Sequence, residues 1–128
     1  MLVATWNVNS IRARLERFIS WLKFVQPDVV CLQETKVQDH TFPFEPIEAL
    51  GYNVAVNGQK SYNGVAIVSK YQINDIKHSF ASELDSHGSR FISAVIEDIK
   101  IMSIYAPNGA SVELEQYTRK LQWYHLFI

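Results

Sequence analysis

Residues 1–36, MLVATWNVNSIRARLERFISWLKFVQPDVVCLQETK, spell out a strand, a helix and a second strand, and that order decides the fold. Leu2, Ala4, Trp6 and Val8 alternate with Val3, Thr5 and Asn7, the period of a strand that is apolar on both faces. Asn9 and Ser10 offer caps to a helix in which Ile11, Leu15, Phe18, Ile19, Leu22 and Val25 recur at helical spacing, until Gln26, Pro27 and Asp28 end it. The run 29–33 is then a second, buried strand. A short hairpin cannot contain a helix, so the two strands are expected to lie parallel in a βαβ unit. Their C-terminal ends point the same way, which makes 7–10 and 33–36 neighbours at the end of the sheet where ligands gather in open α/β folds.

The rest of the chain adds strands more than helices. Residues 46–50 make at most a short helix, closed by Gly51. Strands at 52–57 and 64–69 are joined by the polar loop 58–63, with the composition of an exposed hairpin connection. A weaker strand at 73–78 and a loop at 82–89 lead to hairpin partners at 90–96 and 99–105 across Glu97 and Asp98. Residues 106–109 break the sheet, and Leu114, Tyr117, Leu121, Tyr124 and Ile128 recur at helical spacing in a helix still running at the last residue. The fold class is α/β, a mixed β-sheet with helices on one face. Residues 29–32, 65–68 and 99–104 are apolar on both faces and demand cover on both sides. Two full helices and one short one cover one side, so a covering layer is expected to come from elsewhere.

Composition narrows the class without choosing a function. A chain of 128 residues with 48% hydrophobic and 20% charged residues is expected to form one globular domain spanning 1–128, and is neither disordered nor collagen-like. Its formal net charge of -1 supplies no bulk attraction to a polyanion, so a nucleic acid must be held by a local cluster or through a cation. The single cysteine, Cys31, lies inside an apolar run and reads as a buried thiol. No secretory leader, membrane span or disulfide framework is visible, which points to the cytoplasm.

Glu34 places a carboxylate where the second strand emerges, and Asn7 takes the comparable place after the first. A hard cation such as magnesium takes oxygen ligands of this kind, one or two carboxylates with water and substrate phosphate. Spacing alone equally describes a solvated carboxylate and a turn residue, and it favours that plainer account. Tyr105 ends the last strand, so its phenol could point into the same mouth as Asn7 and Glu34 and donate to a phosphate or move a proton there, although aromatic residues are common in strands whatever the function. Arg12, Arg14, Lys36, Lys60 and Arg90 lie near the same end, with Tyr62 beside Lys60, suited to backbone and groove contacts with a duplex. His40, His78, His87 and His125 show no triad or metal-ligand spacing.

Taken together, 5–13 (TWNVNSIRA), 27–36 (PDVVCLQETK), 51–54 (GYNV), 62–67 (YNGVAI) and 105–109 (YAPNG) resemble the exonuclease III family of AP endonucleases, within the endonuclease/exonuclease/phosphatase superfamily. The resemblance runs from Met1 to about Gln122. It implies half of a four-layer α/β/β/α sandwich, and hydrolysis of DNA at abasic sites with 3′-to-5′ exonuclease activity. It makes Glu34 similar to the family's magnesium-binding glutamate, Asn7 to the asparagine that supports it, and Tyr105 to the catalytic tyrosine. Asn9, Arg12, Tyr62 and Asn108 fall where family members line the site or touch the DNA. The implied cofactor is Mg2+, with Mn2+ as its substitute, and the implied partner is double-stranded DNA with abasic sites or 3′ ends, with no membrane.

The family's second half carries an Asp-x-Asn motif and an Asp-His pair that acts on the attacking water. Neither is present, since no aspartate follows Asp98 and His125 is flanked by Tyr124 and Leu126. The sequence therefore reads as an N-terminal half, inactive alone and completed by a complementary C-terminal fragment. The rival readings are a catalytically dead remnant that only binds DNA or a partner, and a superfamily phosphatase acting on a non-DNA phosphodiester.

Overall fold

The computed structural model of the chain describes residues 1–79, 88–107, 120, 121 and 123. Strand β1 (Val3–Asn7), helix α1 (Leu15–Val25) and strand β2 (Val29–Gln33) form the expected βαβ unit, with β1 and β2 parallel in the register Val3↔Val29 through Asn7↔Gln33. Helix α2 (Phe44–Glu48) precedes β3 (Asn53–Asn57) and β4 (Val65–Ser69), which pair antiparallel, and β4 also pairs antiparallel with β2. These four strands make a mixed sheet in the order β1-β2-β4-β3. Strands β5 (Asn74–Lys77), β6 (Phe91–Ile96) and β7 (Ile99–Ile104) make a second, antiparallel sheet in that order.

Helix α1 begins later than its apolar period suggests. The hydroxyl of Ser10 accepts a hydrogen bond from the Ala13 N–H at 3.2 Å, so Ser10 closes a separate turn, and Arg14 takes the N-cap position without a side-chain cap. The helix ends at Gln26, whose left-handed backbone (φ 51) lets its N–H bond back to the Leu22 carbonyl. Phe18 and Leu22 bury one stripe of α1 against Val8, Val30, Leu32, Ala66 and Val68. Trp6, Phe18 and Trp21 fill one end of this core, with ring centroids 5.6 to 6.1 Å apart in tilted, edge-on and stacked pairs.

The other face of the mixed sheet corrects the expectation of absent cover. Val29, Cys31, Ala55, Val65 and Ile67 pack against Ile92, Ala94, Ile96 and Ile101, so the covering layer is the second sheet of this same chain. Strand β7 lies over β2 and β4, and β6 over β4 and β3. Burying each of the isoleucines is worth about 1.5–3 kcal/mol, enough to clamp the two sheets together. What stays open among the described residues is narrower than a whole sheet face. Strand β1 is the edge of the first sheet and β7 of the second, on the same side, and Leu2, Val3, Ile99 and Met102 are each about half exposed there.

The helix expected from residue 111 onward falls outside the described residues, apart from the helical Lys120, Leu121 and the buried Trp123. Residues 82–87 of the expected loop, including His87, fall outside them as well, as does His125. Among the described residues no helix is long and apolar enough to cross a membrane.

Candidate active site

Strand directions place the C-terminal ends of β1, β2 and β7 and the N-terminal ends of β4 and β6 at one mouth, and the loops there are joined by backbone hydrogen bonds. The Ser10 N–H bonds to the Glu34 carbonyl at 2.8 Å and the Ile11 N–H to the Thr35 carbonyl at 3.1 Å, tying the loop after β1 to the loop after β2. Thr35 N–H bonds to the Gly64 carbonyl and Lys36 N–H to the Asn63 carbonyl, adding the β3–β4 loop. Gly64 N–H bonds to the Ser89 carbonyl, and Tyr105 N–H to the Arg90 carbonyl, at 2.8 and 2.9 Å. The mouth is thus one continuous hydrogen-bonded rim running across both sheets.

Glu34 is half-buried on this rim with a positive φ of 56, as is Lys36 with φ 59. A non-glycine residue in that conformation costs about 1–2 kcal/mol, and such costs collect at functional sites. Gly64 is what allows it. Its φ of +93 suits glycine, and a Cβ there would overlap the hydroxyl of the buried Thr35.

Tyr105 meets Glu34. The phenol lies within electrostatic reach of the Glu34 carboxylate, and burial first, then the negative charge of Glu34, push its pKa up, with Arg90 opposing the rise. The phenol therefore stays protonated through neutral pH. The Arg90 guanidinium stands 5.0 Å from the centre of the Tyr105 ring and donates to the Tyr105 carbonyl at 3.4 Å. Burial pulls the pKa of Arg90 down while the charge of Glu34 supports its cationic form. Glu34, Tyr105 and Arg90 form a carboxylate, phenol and guanidinium series. The sequence had placed Arg90 only among the nearby basic residues, because its link to Tyr105 depends on the β6–β7 register, in which Phe91 faces Ile104.

Asn7 lies beside Gln33 in the sheet and is exposed, with its side-chain oxygen accepting from the Asn9 N–H at 3.2 Å. An amide oxygen has two lone pairs, so this turn bond leaves one acceptor direction open. The Asn9 side chain accepts from the Lys36 ammonium, which bridges the two loops. Arg12 and Tyr62 are exposed on the rim, Tyr62 at 70%. Asn108 lies outside the described residues.

Behind the rim, Gln33 donates to Thr5 of β1 at 3.0 Å and to Ser103 of β7 at 3.2 Å, while the Ser103 hydroxyl donates to the Leu32 carbonyl at 2.8 Å. This polar stitch between the sheets fixes the separation of Glu34 and Tyr105, and periodicity gave no sign of it. Cys31 is buried, and desolvation raises its pKa to about 11, consistent with an inert thiol.

As a cation site the ends of β1 and β2 offer the Glu34 carboxylate and the Asn7 amide oxygen. Among the described residues no group of three or more His, Cys, Asp or Glu could enclose a metal. A hard-oxygen pair of this kind suits an ion that keeps much of its water shell, as magnesium does, and does not suit a soft or fully caged metal.

The chain spans about half the length of the curated relatives it matches. It is 36% identical over 115 residues to exodeoxyribonuclease III of Haemophilus influenzae, an alignment covering 87% of this chain and 43% of that protein. It superposes on the structure of an AP endonuclease from Archaeoglobus fulgidus with a TM-score of 0.93 and 41% identity, over 99% of this chain and 49% of the other. A 3′ phosphatase, NExo, from Neisseria, in a structure bound to product DNA hairpin, superposes with a TM-score of 0.94 and 32% identity, over 99% of this chain and 49% of that one. The family model described as Endonuclease/Exonuclease/phosphatase family matches residues 4–127, and the chain belongs to that family.

Proposed function

We propose that this chain provides the metal-binding side of a DNA-repair phosphodiesterase of the exodeoxyribonuclease III type, cleaving double-stranded DNA at abasic sites and trimming 3′ ends in the cytoplasm. The observation that carries the reading is the meeting of a strand-end carboxylate, Glu34, with a protonated phenol, Tyr105, on a rim that also presents Asn7.

Glu34 and Asn7 would hold Mg2+, or Mn2+ in its place, which when bound supplies Lewis-acid stabilisation to a phosphate. The Tyr105 phenol, kept protonated by burial and by the charge of Glu34, has one proton, which it would donate to a phosphate oxygen when substrate is bound. Arg12 and Tyr62 grip the duplex through backbone and groove contacts, and Lys36 orients Asn9 beside them. Asn108 belongs to the same DNA-facing set.

The sequence lacks the Asp-x-Asn motif and the Asp-His pair that act on the attacking water in the resembled family, which supports reading the 128-residue chain as inactive alone. The residues that activate water come from a complementary polypeptide equivalent to the second half of the relatives, which joins along the open edges of β1 and β7. The test is cleavage of an abasic duplex with magnesium by residues 1–128 alone and by residues 1–128 completed with such a second half, in trans or fused. Cleavage by the completed protein only is expected. Cleavage of an inositol phosphate but not the duplex would overturn the substrate, and duplex binding without cleavage in the completed protein would leave the chain a binding remnant.

A further inference from the structure

We propose that Arg90 is a positioning residue for Tyr105, setting the angle at which the phenol is presented to the phosphate. The inference rests on the role given to Tyr105 above. Tyr105 directly follows the edge strand β7, which has no described strand beyond it to fix its side chain. Arg90 fixes both its backbone and its ring: two hydrogen bonds hold the main chain and one contact meets the aromatic face. The Tyr105 N–H bonds to the Arg90 carbonyl at 2.9 Å, the Arg90 guanidinium donates back to the Tyr105 carbonyl at 3.4 Å, and the same guanidinium stands 5.0 Å from the ring centre.

An arginine suits this task better than a lysine. Its planar fork can donate to a carbonyl while its face lies against an aromatic ring, whereas an ammonium is a point charge that does one or the other. Half-burial of Arg90 strengthens the attraction to the ring, because a cation over an aromatic face gains most when water is excluded. The negative charge of Glu34 lies near the phenol, so the ring is held at its face by Arg90 while its hydroxyl stays protonated for the phosphate. Arg90 thus acts on the reaction through Tyr105.

The experiment is a double-mutant cycle of Arg90→Gln with Tyr105→Phe in the completed protein, read as kcat and KM on an abasic duplex, with Arg90→Lys as a milder variant. Displacing a reacting group slightly costs roughly ten- to hundredfold in rate. Arg90→Gln is expected to lower kcat by that factor with KM nearly unchanged, to add little once Tyr105 is Phe, and to be partly rescued by Arg90→Lys. A rise in KM at constant kcat would overturn the inference by making Arg90 a direct DNA contact. Losses that multiply in the double variant would overturn it too. In residues 1–128, the Arg90 guanidinium protons should be shifted upfield by the Tyr105 ring in NMR spectra, retained in Tyr105→Phe and lost in Tyr105→Leu. Absence of that shift would remove the contact and the inference. Upfield protons together with full activity of Tyr105→Phe would instead overturn the role of Tyr105 itself, and this one with it.

Discussion

Gly64→Ala tests whether the rim is held as tightly as its geometry indicates. Gly64 has φ +93, its N–H and carbonyl are both bonded within the rim, and an added Cβ would overlap Thr35 Oγ1 and come 3.2 Å from the Lys36 nitrogen. Two costs therefore add. A left-handed backbone costs an alanine about 1–2 kcal/mol, and forcing a methyl group against a packed, buried neighbour costs about 1–3 kcal/mol more. The sum is about 2–5 kcal/mol. Gly51 supplies the control, because its φ is +88 but nothing lies within 4 Å of an added Cβ, so Gly51→Ala carries only the backbone cost. Urea unfolding of both variants in residues 1–128 isolates the clash as the difference between them. Adding Thr35→Ala to Gly64→Ala removes the overlapping hydroxyl and should recover part of that difference. Equal losses for Gly51→Ala and Gly64→Ala would refute the idea that Thr35 and Gly64 set the position of the Glu34 loop by contact.

Glu34→Gln in the completed protein should raise the magnesium concentration needed for half-maximal cleavage about tenfold or more, since a neutral amide replaces the carboxylate at the end of β2; unchanged activity at limiting magnesium would sink the ligand assignment. Tyr62→Ala and Arg12→Ala should weaken binding by a similar factor whatever the flanking sequence, and a loss confined to one flank, read by fluorescence anisotropy, would contradict backbone contacts. Asp28 accepts from the Leu2 N–H at 2.6 Å and from the Tyr71 hydroxyl at 3.1 Å, and the Leu2 bond first, then Tyr71 and Lys70, hold its pKa below the usual value. Its lowered folded pKa makes its contribution present above the unfolded carboxylate pKa and lost as pH falls through the folded one, so Asp28→Asn should flatten the stability profile below about pH 4 and leave its shape at neutral pH unchanged. Cys31, with its pKa near 11, should resist alkylation at pH 8 until the chain unfolds, and rapid labelling of folded protein would contradict its burial.

The strand and helix periods carried the first sheet, because each element there has a private signature: alternation in β1, a helical stripe in α1, an unbroken apolar run in β2. Glu34 was legible for the same reason, since a carboxylate directly after a buried run must emerge at a strand end. Spacing allowed the Tyr105 phenol into the same mouth as Asn7 and Glu34 without deciding it, because Glu34 and Tyr105 follow strands of different sheets, which the packing of Val65 and Ile67 against Ile92 and Ala94 brings together. Residues 99–104 looked like a strand that needed covering, when the inward residues of β6 and β7 are themselves the cover for β2 and β4. A two-faced apolar run says that a strand is sandwiched, and nothing in the run says by which part of the chain. Ser10 misled for a different reason, because a cap signature does not reveal whether one turn or a whole helix follows it.

The backbone of the rim explains why the site can be rigid while its loops are polar and partly exposed. Asn9, Ser10, Glu34, Lys36, Ser61 and Asn63 all have positive φ, a conformation that an L-residue leaves readily unless its neighbours forbid it. Here each loop is forbidden by the next, through Ser10 to Glu34, Lys36 to Asn63, and Gly64 to Ser89. Such a rim cannot relax one loop at a time, and its strain is carried by the two apolar cores behind it, where Val30 and Leu32 face one core and Val29 and Cys31 the other. Strand β2 therefore joins both cores to the Glu34 loop. A cavity made on either side of β2 should loosen the carboxylate as well as the fold, whereas an equally large cavity under α2, which contacts β3 at the far edge of the sheet, should lower stability and spare the site.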